Sequence, residues 1–536
     1  MGSDHKRTPL ETAFTEVGQT DVSRATAWTI TIVFLLTLAA VPLIDVTDAI
    51  RRGQLRATDT ISDALSAGFT FPIHQSGVQE HNPLHDVEEA IEDASLVKGT
   101  VQPRLQALLS ETLDVGNKKV LIGRDGWLFY RPGIDYVVGP GFLSSLQHKI
   151  VPRSTPDPRP AIQAFHAACT AAGVRLVLMP IPDKAMVHPE KLVSRTWSVD
   201  PPDNPDYTRL LDELPGVEVF RAIATLQDVA KTGPAFLTQD THWTPEAMEA
   251  VAKALGNHVR GTRPGTKHGP RRRWLRESRN VKRVGDLVDS LKLPADQRIF
   301  EPQAATMHAV VDPNGQPWRP RESARILLLG DSFTNIYTLP EMGWGEFGGL
   351  GPQLSWELDR DIDVIAVNGG GASGALRALA KRDDPLGGKR IIVWQFAVRD
   401  LAFENWDVIP IRAKPAREGG TGSIVLIGEL MTAPPHVESG DTPYPSAVVF
   451  LKFKVRKVIN GSYAAPEVLV EMPFILKSKP LEAASYREGG VFRITLTPDV
   501  PAEWEGQRTV DETNELDLRP LWAETIHAEV VGKPEK

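Results

Sequence analysis

Short apolar runs alternate with stretches of helical periodicity through the middle of the chain. VRLVLMP at 174–180 reads as a buried strand, and the amphipathic stretch 159–172, closed by Gly173, as the helix that feeds it. Further strands are predicted at 217–220, 326–329, 362–367 and 390–394, and a helix at 245–255. Strands that are apolar throughout, with helices between them, imply a parallel sheet covered on both faces, hence an α/β domain over 114–412. Beyond that the period changes. SIVLIG at 423–428, AVVFLKFKV at 447–455, EVLVEM at 467–472 and GVFRITL at 490–496 are β-rich runs between Gly and Pro turns. They predict a small all-β module over 413–536, entered through a KPAREGGTG linker at 414–422.

The N-terminal pattern is different again. Residues 25–44, ATAWTITIVFLLTLAAVPLI, carry no charge. As a helix they would span roughly 30 Å, the apolar thickness of a bilayer. Trp28 stands where an interfacial anchor would lie. A cleaved signal peptide fits less well, because the apolar stretch is long and AAV at 39–41 is a poor cleavage site. A buried core helix fits less well beside so polar a tail. The expectation is a transmembrane anchor at 25–44 behind a tail at 1–24. Lys6, Arg7 and Arg24 precede it and Arg51, Arg52 and Arg56 follow, so flanking charge does not orient it. Residues 45–113 alternate polar spacers with short helical patterns at 87–96 and 103–113, the pattern of a helical stalk.

Composition narrows the function. Lys and Arg number 60 against 68 Asp and Glu, a net charge of −8, with 41% hydrophobic residues. This is an ordinary folded protein with no basic excess for nucleic acid. Cys169 is the single cysteine, so no intramolecular disulfide or Cys-rich metal site can form. In an Ala-rich helical stretch it reads as a small buried residue.

Two short patterns carry candidate chemistry. In LTQDTHWTPE at 237–246, Asp240 and His242 stand two residues apart on an extended segment, so their side chains share a side. Thr244 and Pro245 then open a helix. A carboxylate there can fix an imidazole tautomer and the imidazole can act as a base, although a surface Asp-x-His with a cap gives the same letters. In ILLLGDSF at 326–333, Ser332 follows a buried strand at its C-terminal end. Its hydroxyl would be presented on a tight turn and its N–H could face an oxyanion; a simple helix cap is the alternative. Position 334 is Thr, so this is not the nucleophile elbow of ordinary serine hydrolases. Together the patterns supply nucleophile, base and orienter. Asn368 and Gly370 in the NGGG turn after a strand are oxyanion candidates, with a flexible turn as the alternative. Arg399 and Trp243 are substrate-binding candidates, with Trp127 a second ring for a sugar; structural ion pairing and core packing are the alternatives. The basic residues between Arg260 and Arg283 could dock an anionic polysaccharide or lipid head groups, or form a solvated loop.

With these motifs on the page the chain resembles the alginate O-acetyltransferase family (AlgJ/AlgX type) of SGNH-hydrolase-like proteins. GRDGWLFY at 123–130 is similar to the family's opening motif, and PIPDKA at 180–185 with HPE at 188–190 to the loop that follows. DTHW at 240–243 matches its Asp–His motif and GDSF at 330–333 its Ser motif. VWQFAVRDL at 393–401 resembles its last core strand, and GDLV at 285–288 is loosely similar. The resemblance implies an SGNH-like sheet with Ser332 as nucleophile, His242 as base and Asp240 as its orienter, acting without cofactor or metal. It implies acetyl transfer to an exopolysaccharide such as alginate, through an acetyl-Ser intermediate. It also implies a membrane-bound O-acyltransferase as acetyl supplier. The catalytic domain would lie on the periplasmic side of the inner membrane, with residues 1–24 in the cytoplasm. Two departures stand out. Gln395 occupies a position that is often acidic in the family. The C-terminal β region is similar in position to the carbohydrate-binding module of AlgX-like members, which makes it a candidate for carbohydrate binding, but its sequence does not match that module. A carbohydrate acetyl esterase with the same triad, or a non-catalytic polysaccharide-binding scaffold, would share most of these letters.

Overall fold

The computed structural model describes residues 28–29, 31–32, 101–193, 202–261, 273–412, 423–435 and 444–528, apart from 499, 502, 505–506, 512, 514 and 517. Contacts divide the chain into Met1–Leu105 and Gln106–Lys536, and the second unit carries the fold described below. The expected span at 25–44 lies outside the described residues except for Trp28, Thr29, Thr31 and Ile32, which are helical. Among the described residues no helix is long and apolar enough to cross a membrane. Of the expected stalk helices, 87–96 lies outside the described residues and 103–113 corresponds to helix Gln102–Leu113.

In chain order the strands of the α/β part are β1 (Val120–Ile122), β2 (Leu128–Tyr130), β3 (Arg175–Ile181), β4 (Glu218–Val219), β5 (Leu275–Arg283), β6 (Gln303–Val311), β7 (Ile326–Gly330), β8 (Asp363–Ala366) and β9 (Ile391–Ala397). Five of them form the predicted parallel sheet, in the order β4-β3-β9-β7-β8. Side chains alternate across it, because successive residues of a strand face opposite ways. Val177, Met179, Leu328 and Val393 enter one core with helix Pro245–Arg260. Leu176, Leu178, Leu327, Leu329, Ile392 and Trp394 enter the other, with helices Pro158–Ala171 and Gly371–Ala380. Both faces are covered, which is why these strands read as unbroken apolar runs. Cys169 is buried in the second core, and burial pushes its thiol up to about 12.

The β5–β6 ribbon was not anticipated. The two strands pair antiparallel from Leu275↔Val311 to Arg283↔Gln303. Strand β5 occupies the segment expected to be a basic loop. It is not a free cationic surface: Arg273 pairs with Asp361, Arg276 with Glu249 and Glu357, Arg279 with Glu346 and Arg283 with Asp289. Residues 262–272 of the same run lie outside the described residues.

The predicted β module is present as one largely antiparallel sheet of eight strands. Its main strands are β10 (Ile424–Leu430), β11 (Ala447–Asn460), β12 (Glu467–Leu476), β13 (Lys479–Pro480) and β14 (Val491–Leu496). Alternate residues, among them Val449, Leu451 and Phe453, fill its own core. The linker at 414–422 lies outside the described residues. The module rests on the α/β part through Lys381 Nζ, which donates to Asp511 Oδ2 at 2.7 Å, and through an Arg519–Asp383 pair at 3.1 Å.

Candidate active site

The base candidate, His242, is built from a loop that folds back on itself. Leu237 N donates to His242 O at 3.0 Å, and Phe236 bridges Trp243. Thr244 caps the next helix by accepting from Ala247 N, with Pro245 at its first position. Between these ties the side chains of Asp240 and His242 meet: His242 Nδ1 lies 2.6 Å from Asp240 Oδ1, which also accepts from His242 N at 3.1 Å. Asp240 Oδ2 accepts from Trp344 Nε1 at 2.9 Å and from Asp286 N at 3.0 Å. Both carboxylate oxygens of Asp240 are therefore used.

A second carboxylate, Asp286, stands 3.7 Å from His242 Nδ1 and accepts from Thr241 N at 2.7 Å. Gly285 permits this approach, since a Cβ there would lie 2.1 Å from Gln239 O. Asp240, His242 and Asp286 offer three ligand atoms within 4.8 Å of one another. The 2.6 Å Nδ1–Oδ1 separation, however, is a hydrogen-bond distance with no room for a cation between the atoms. The set fits a proton relay better than a metal site.

Electrostatics follow from this geometry. Burial disfavours the imidazolium, but the hydrogen bond and charge of Asp240, with Asp286 and Asp331 adding to them, hold His242 above the ordinary imidazole value. Burial alone would raise Asp240; its bonds to His242, Asp286 N and Trp344 hold it well below the usual carboxylate range. Burial and the charge of Asp240 push Asp286 up. Lys184 Nζ, from the loop after β3, donates to Leu128 O at 2.8 Å, and burial brings this ammonium down to about 8.

The nucleophile candidate stands at the end of β7. Asp331 caps the short helix Ser332–Asn335 by accepting from Phe333 N at 2.8 Å. Gln395 on β9 locks that turn from behind. Its Oε1 accepts from Asp331 N at 3.1 Å and from Thr334 Oγ1 at 2.7 Å, and its Nε2 donates to Asp331 Oδ1 at 2.8 Å. The ring of Phe333 lies 4.9 Å from the imidazole of His242 and 5.4 Å from Trp243. The Asp–His pair is thus brought against the residue that follows Ser332. His242 Nε2 is buried and makes no hydrogen bond. A serine–imidazole bond that closes only with substrate in place is common in unliganded sites.

The remaining candidates fare unequally. Asn368 Oδ1 accepts from Asn335 Nδ2 at 2.9 Å, which places its amide beside the nucleophile helix. Gly370 is corrected: its N–H donates to Val367 O at 3.0 Å, closing the turn rather than facing an oxyanion. Arg399 lies 3.8 Å from Asp183 and 6.0 Å from the Phe333 ring, at the edge of the site. Burial opposes its charge, but Asp400 and Asp183 more than offset this and raise its pKa. Trp243 is corrected too. It is fully buried against Phe333, so it packs the core and offers no face to a sugar. Trp127 is buried as well, 4.6 Å from the His188 ring. Sequence reading missed Trp344 and the role of Asp286. Only the loosely similar GDLV at 285–288 hinted at the last.

Comparison with known proteins bears on the whole sheet domain. The family model described as SGNH hydrolase-like domain, acetyltransferase AlgX, matches residues 120–398. The probable alginate O-acetylase AlgJ of Pseudomonas aeruginosa is 28% identical over 326 residues, 56% of this chain and 75% of the relative. That of Azotobacter vinelandii is 25% identical, over 55% and 74% of the two chains. Among solved structures, the O-acetyltransferase domain of Pseudomonas putida AlgJ is similar at 24% identity and a TM-score of 0.40, covering 53% of this chain and 93% of that one. Pseudomonas aeruginosa AlgX aligns at 16% identity and a TM-score of 0.35, over 76% and 90%. The chain belongs to the AlgX acetyltransferase family of SGNH hydrolase-like domains and is an O-acetyltransferase.

Proposed function

We propose that the chain transfers acetyl groups onto hydroxyls of an exopolysaccharide, with alginate, named for the curated relatives, as the first substrate to try. The observation that carries the reading is the buried Asp240–His242 pair at 2.6 Å, its free Nε2 beside the turn that presents Ser332. In the first step Ser332 Oγ attacks the donor's acetyl carbonyl and His242 Nε2 takes the hydroxyl proton. The C–O bond to the donor breaks, and the proton leaves with the donor. In the second step a sugar hydroxyl gives its proton to Nε2 and attacks the acetyl carbon. The bond to Ser332 breaks and Oγ recovers the proton. Asp240 holds the tautomer and the developing imidazolium. The amide of Asn368 and the N–H of Ser332 are the oxyanion donors in this scheme.

The same reading places the domain on the periplasmic side of the inner membrane, anchored by residues 25–44. A membrane-bound O-acyltransferase would supply the acetyl groups. The support is the uncharged apolar run in the sequence and the relatives' names.

The test is Ser332→Ala in the full chain. Acetylation of the polysaccharide, followed by release or transfer of a labelled acetyl group, should fall by on the order of 10³-fold or more with thermal melting unchanged. Transfer at the wild-type rate would overturn the mechanism. Wild-type enzyme that yields only free acetate in the presence of acceptor would favour an esterase instead.

A further inference from the structure

Two buried side chains from the segment after β3 reach the loop that carries Asp240 and His242. They are Lys184 and His188, in the PIPDKA and HPE motifs, and neither has a part in the proposed proton transfers. Helix Lys184–Val187 is capped by Asp183, which accepts from Ala185 N at 3.1 Å. Lys184 and His188 stand one turn apart, so both can meet the same neighbour.

His188 holds one end of that loop. Its Nε2 accepts from Ala235 N at 3.0 Å. Ala235 O accepts from Thr244 N at 3.0 Å, so Ala235 is the first rung of the hairpin whose tip is the Asp–His pair. An imidazole nitrogen that accepts carries no proton, which puts the proton on Nδ1, 3.1 Å from Glu190 Oε1. The ring is packed 4.6 Å from the Trp127 ring and 6.5 Å from the Phe236 ring. Burial, with the charges of Lys184 and Lys191, outweighs Glu190 and keeps His188 below the ordinary imidazole value, as suits a neutral acceptor.

Lys184 holds the loop nearer its tip. Its Nζ donates to Thr238 O at 3.3 Å and to Leu128 O at 2.8 Å. Thr238 O also accepts from Leu128 N at 2.8 Å, and Asp240 stands two residues further on. The ring centroids of Trp127 and Phe129 each lie 5.6 Å from the ammonium. An apolar chain would fill this space without the cost of burying a charge, so what the lysine adds is its bonds to the two carbonyls.

Building on the reading of His242 as base, we propose that His188 and Lys184 are positioning residues, a two-point clamp on the backbone of the 235–244 loop that holds the Asp240–His242 pair in place beside the Ser332 turn. Neither touches substrate. The 2.6 Å bond between Asp240 and His242 then stands on a backbone fixed at its end and near its tip. The opening motif belongs to the same clamp, since Leu128 supplies one carbonyl and Trp127 packs on both side chains. An imidazole misplaced by about 1 Å can cost on the order of 10²-fold in rate.

The test uses the full-length protein with p-nitrophenyl acetate as donor and an oligosaccharide acceptor. His188→Leu removes the acceptor for Ala235 N, and His188→Gln supplies an amide oxygen at similar reach. The expected result is a kcat lower by about 10- to 100-fold in His188→Leu, with the donor KM within about twofold, and recovery to within about fivefold of wild type in His188→Gln. Lys184→Met, of similar length but without donors, should lower kcat in the same way. The downfield proton resonance of the His242 Nδ1–H bond should move or broaden in His188→Leu and return in His188→Gln. A wild-type kcat in His188→Leu or in Lys184→Met overturns the clamp, and so does a His188→Gln enzyme as slow as His188→Leu. If a variant melts lower, the pre-steady-state burst decides in the same way: its amplitude counts the folded sites and its rate reports on the base. His242→Gln separates the two readings. Its loss of activity alongside an unaffected His188→Leu sinks only the clamp, whereas activity retained in His242→Gln sinks the base itself.

Discussion

The indole N–H of Trp344 donates to Oδ2 of Asp240 at 2.9 Å, across a sequence separation of 104 residues. The bond leaves Oδ1 for His242 and fixes the plane of the carboxylate that holds this imidazole. Trp344→Phe keeps an aromatic ring in the core but removes this donor. Acetyl transfer should fall roughly tenfold, with a stability loss of about 1–3 kcal/mol for the buried, partly unpaired carboxylate. Turnover against pH and thermal melting together check this; an unchanged kcat would show that Trp344 only fills space.

The hydrogen bond and charge of Asp240, and after them the charge of Asp286, raise the folded-state pKa of His242, so in the proposed mechanism the neutral base is lost as pH falls through that raised value, and activity should fall with it. The linked stability has the opposite sense. It is present in full below the unfolded imidazole value and is lost as pH rises through the folded one. Asp286→Asn keeps an oxygen for Thr241 N but removes a charge 3.7 Å from Nδ1. The acidic limb of the pH–rate profile should move to lower pH, with the plateau within about threefold of wild type. A limb that stays in place would remove Asp286 from the electrostatics of the base.

Gln395 makes a prediction that separates charge from shape. It donates to Asp331 Oδ1 and accepts from Thr334 Oγ1 and Asp331 N, with no exposed surface. Gln395→Glu is nearly isosteric, yet it replaces the donor with an oxygen facing another carboxylate. The protein should lose about 2–3 kcal/mol in urea unfolding at neutral pH and recover part of it in mild acid, where one of the two acids is protonated.

Because the Asp240–His242 bond occupies the atoms that a cation would need, prolonged dialysis against a chelator should leave acetyl transfer within about twofold of the untreated rate. A large loss restored by a divalent cation would contradict the relay.

The sheet was legible because its strands are buried on both faces and so apolar at every position, as in 326–329. The Asp–His and Ser turns were legible because each is local: two residues on one loop, one residue on a strand end. The β5–β6 ribbon was not. LRESRNVKR has its charges on both faces of the strand, where they pair with carboxylates of distant segments, and nothing in its period distinguishes it from a solvated loop. Trp344 left no trace for the same reason. It reaches Asp240 across 104 residues, through a contact that spacing cannot encode.

Strand order has a consequence for biosynthesis. The strand between β3 and β7 is β9, the last of the five to be made. Until residue 397 has emerged, the sheet exists only as two separate pairs, β4-β3 and β7-β8, with an open slot where the middle belongs. The turn that carries Ser332 is therefore not locked from behind until Gln395 on β9 is in place. Such long-range closure is slow, so this turn gains its last support only when the middle strand is inserted.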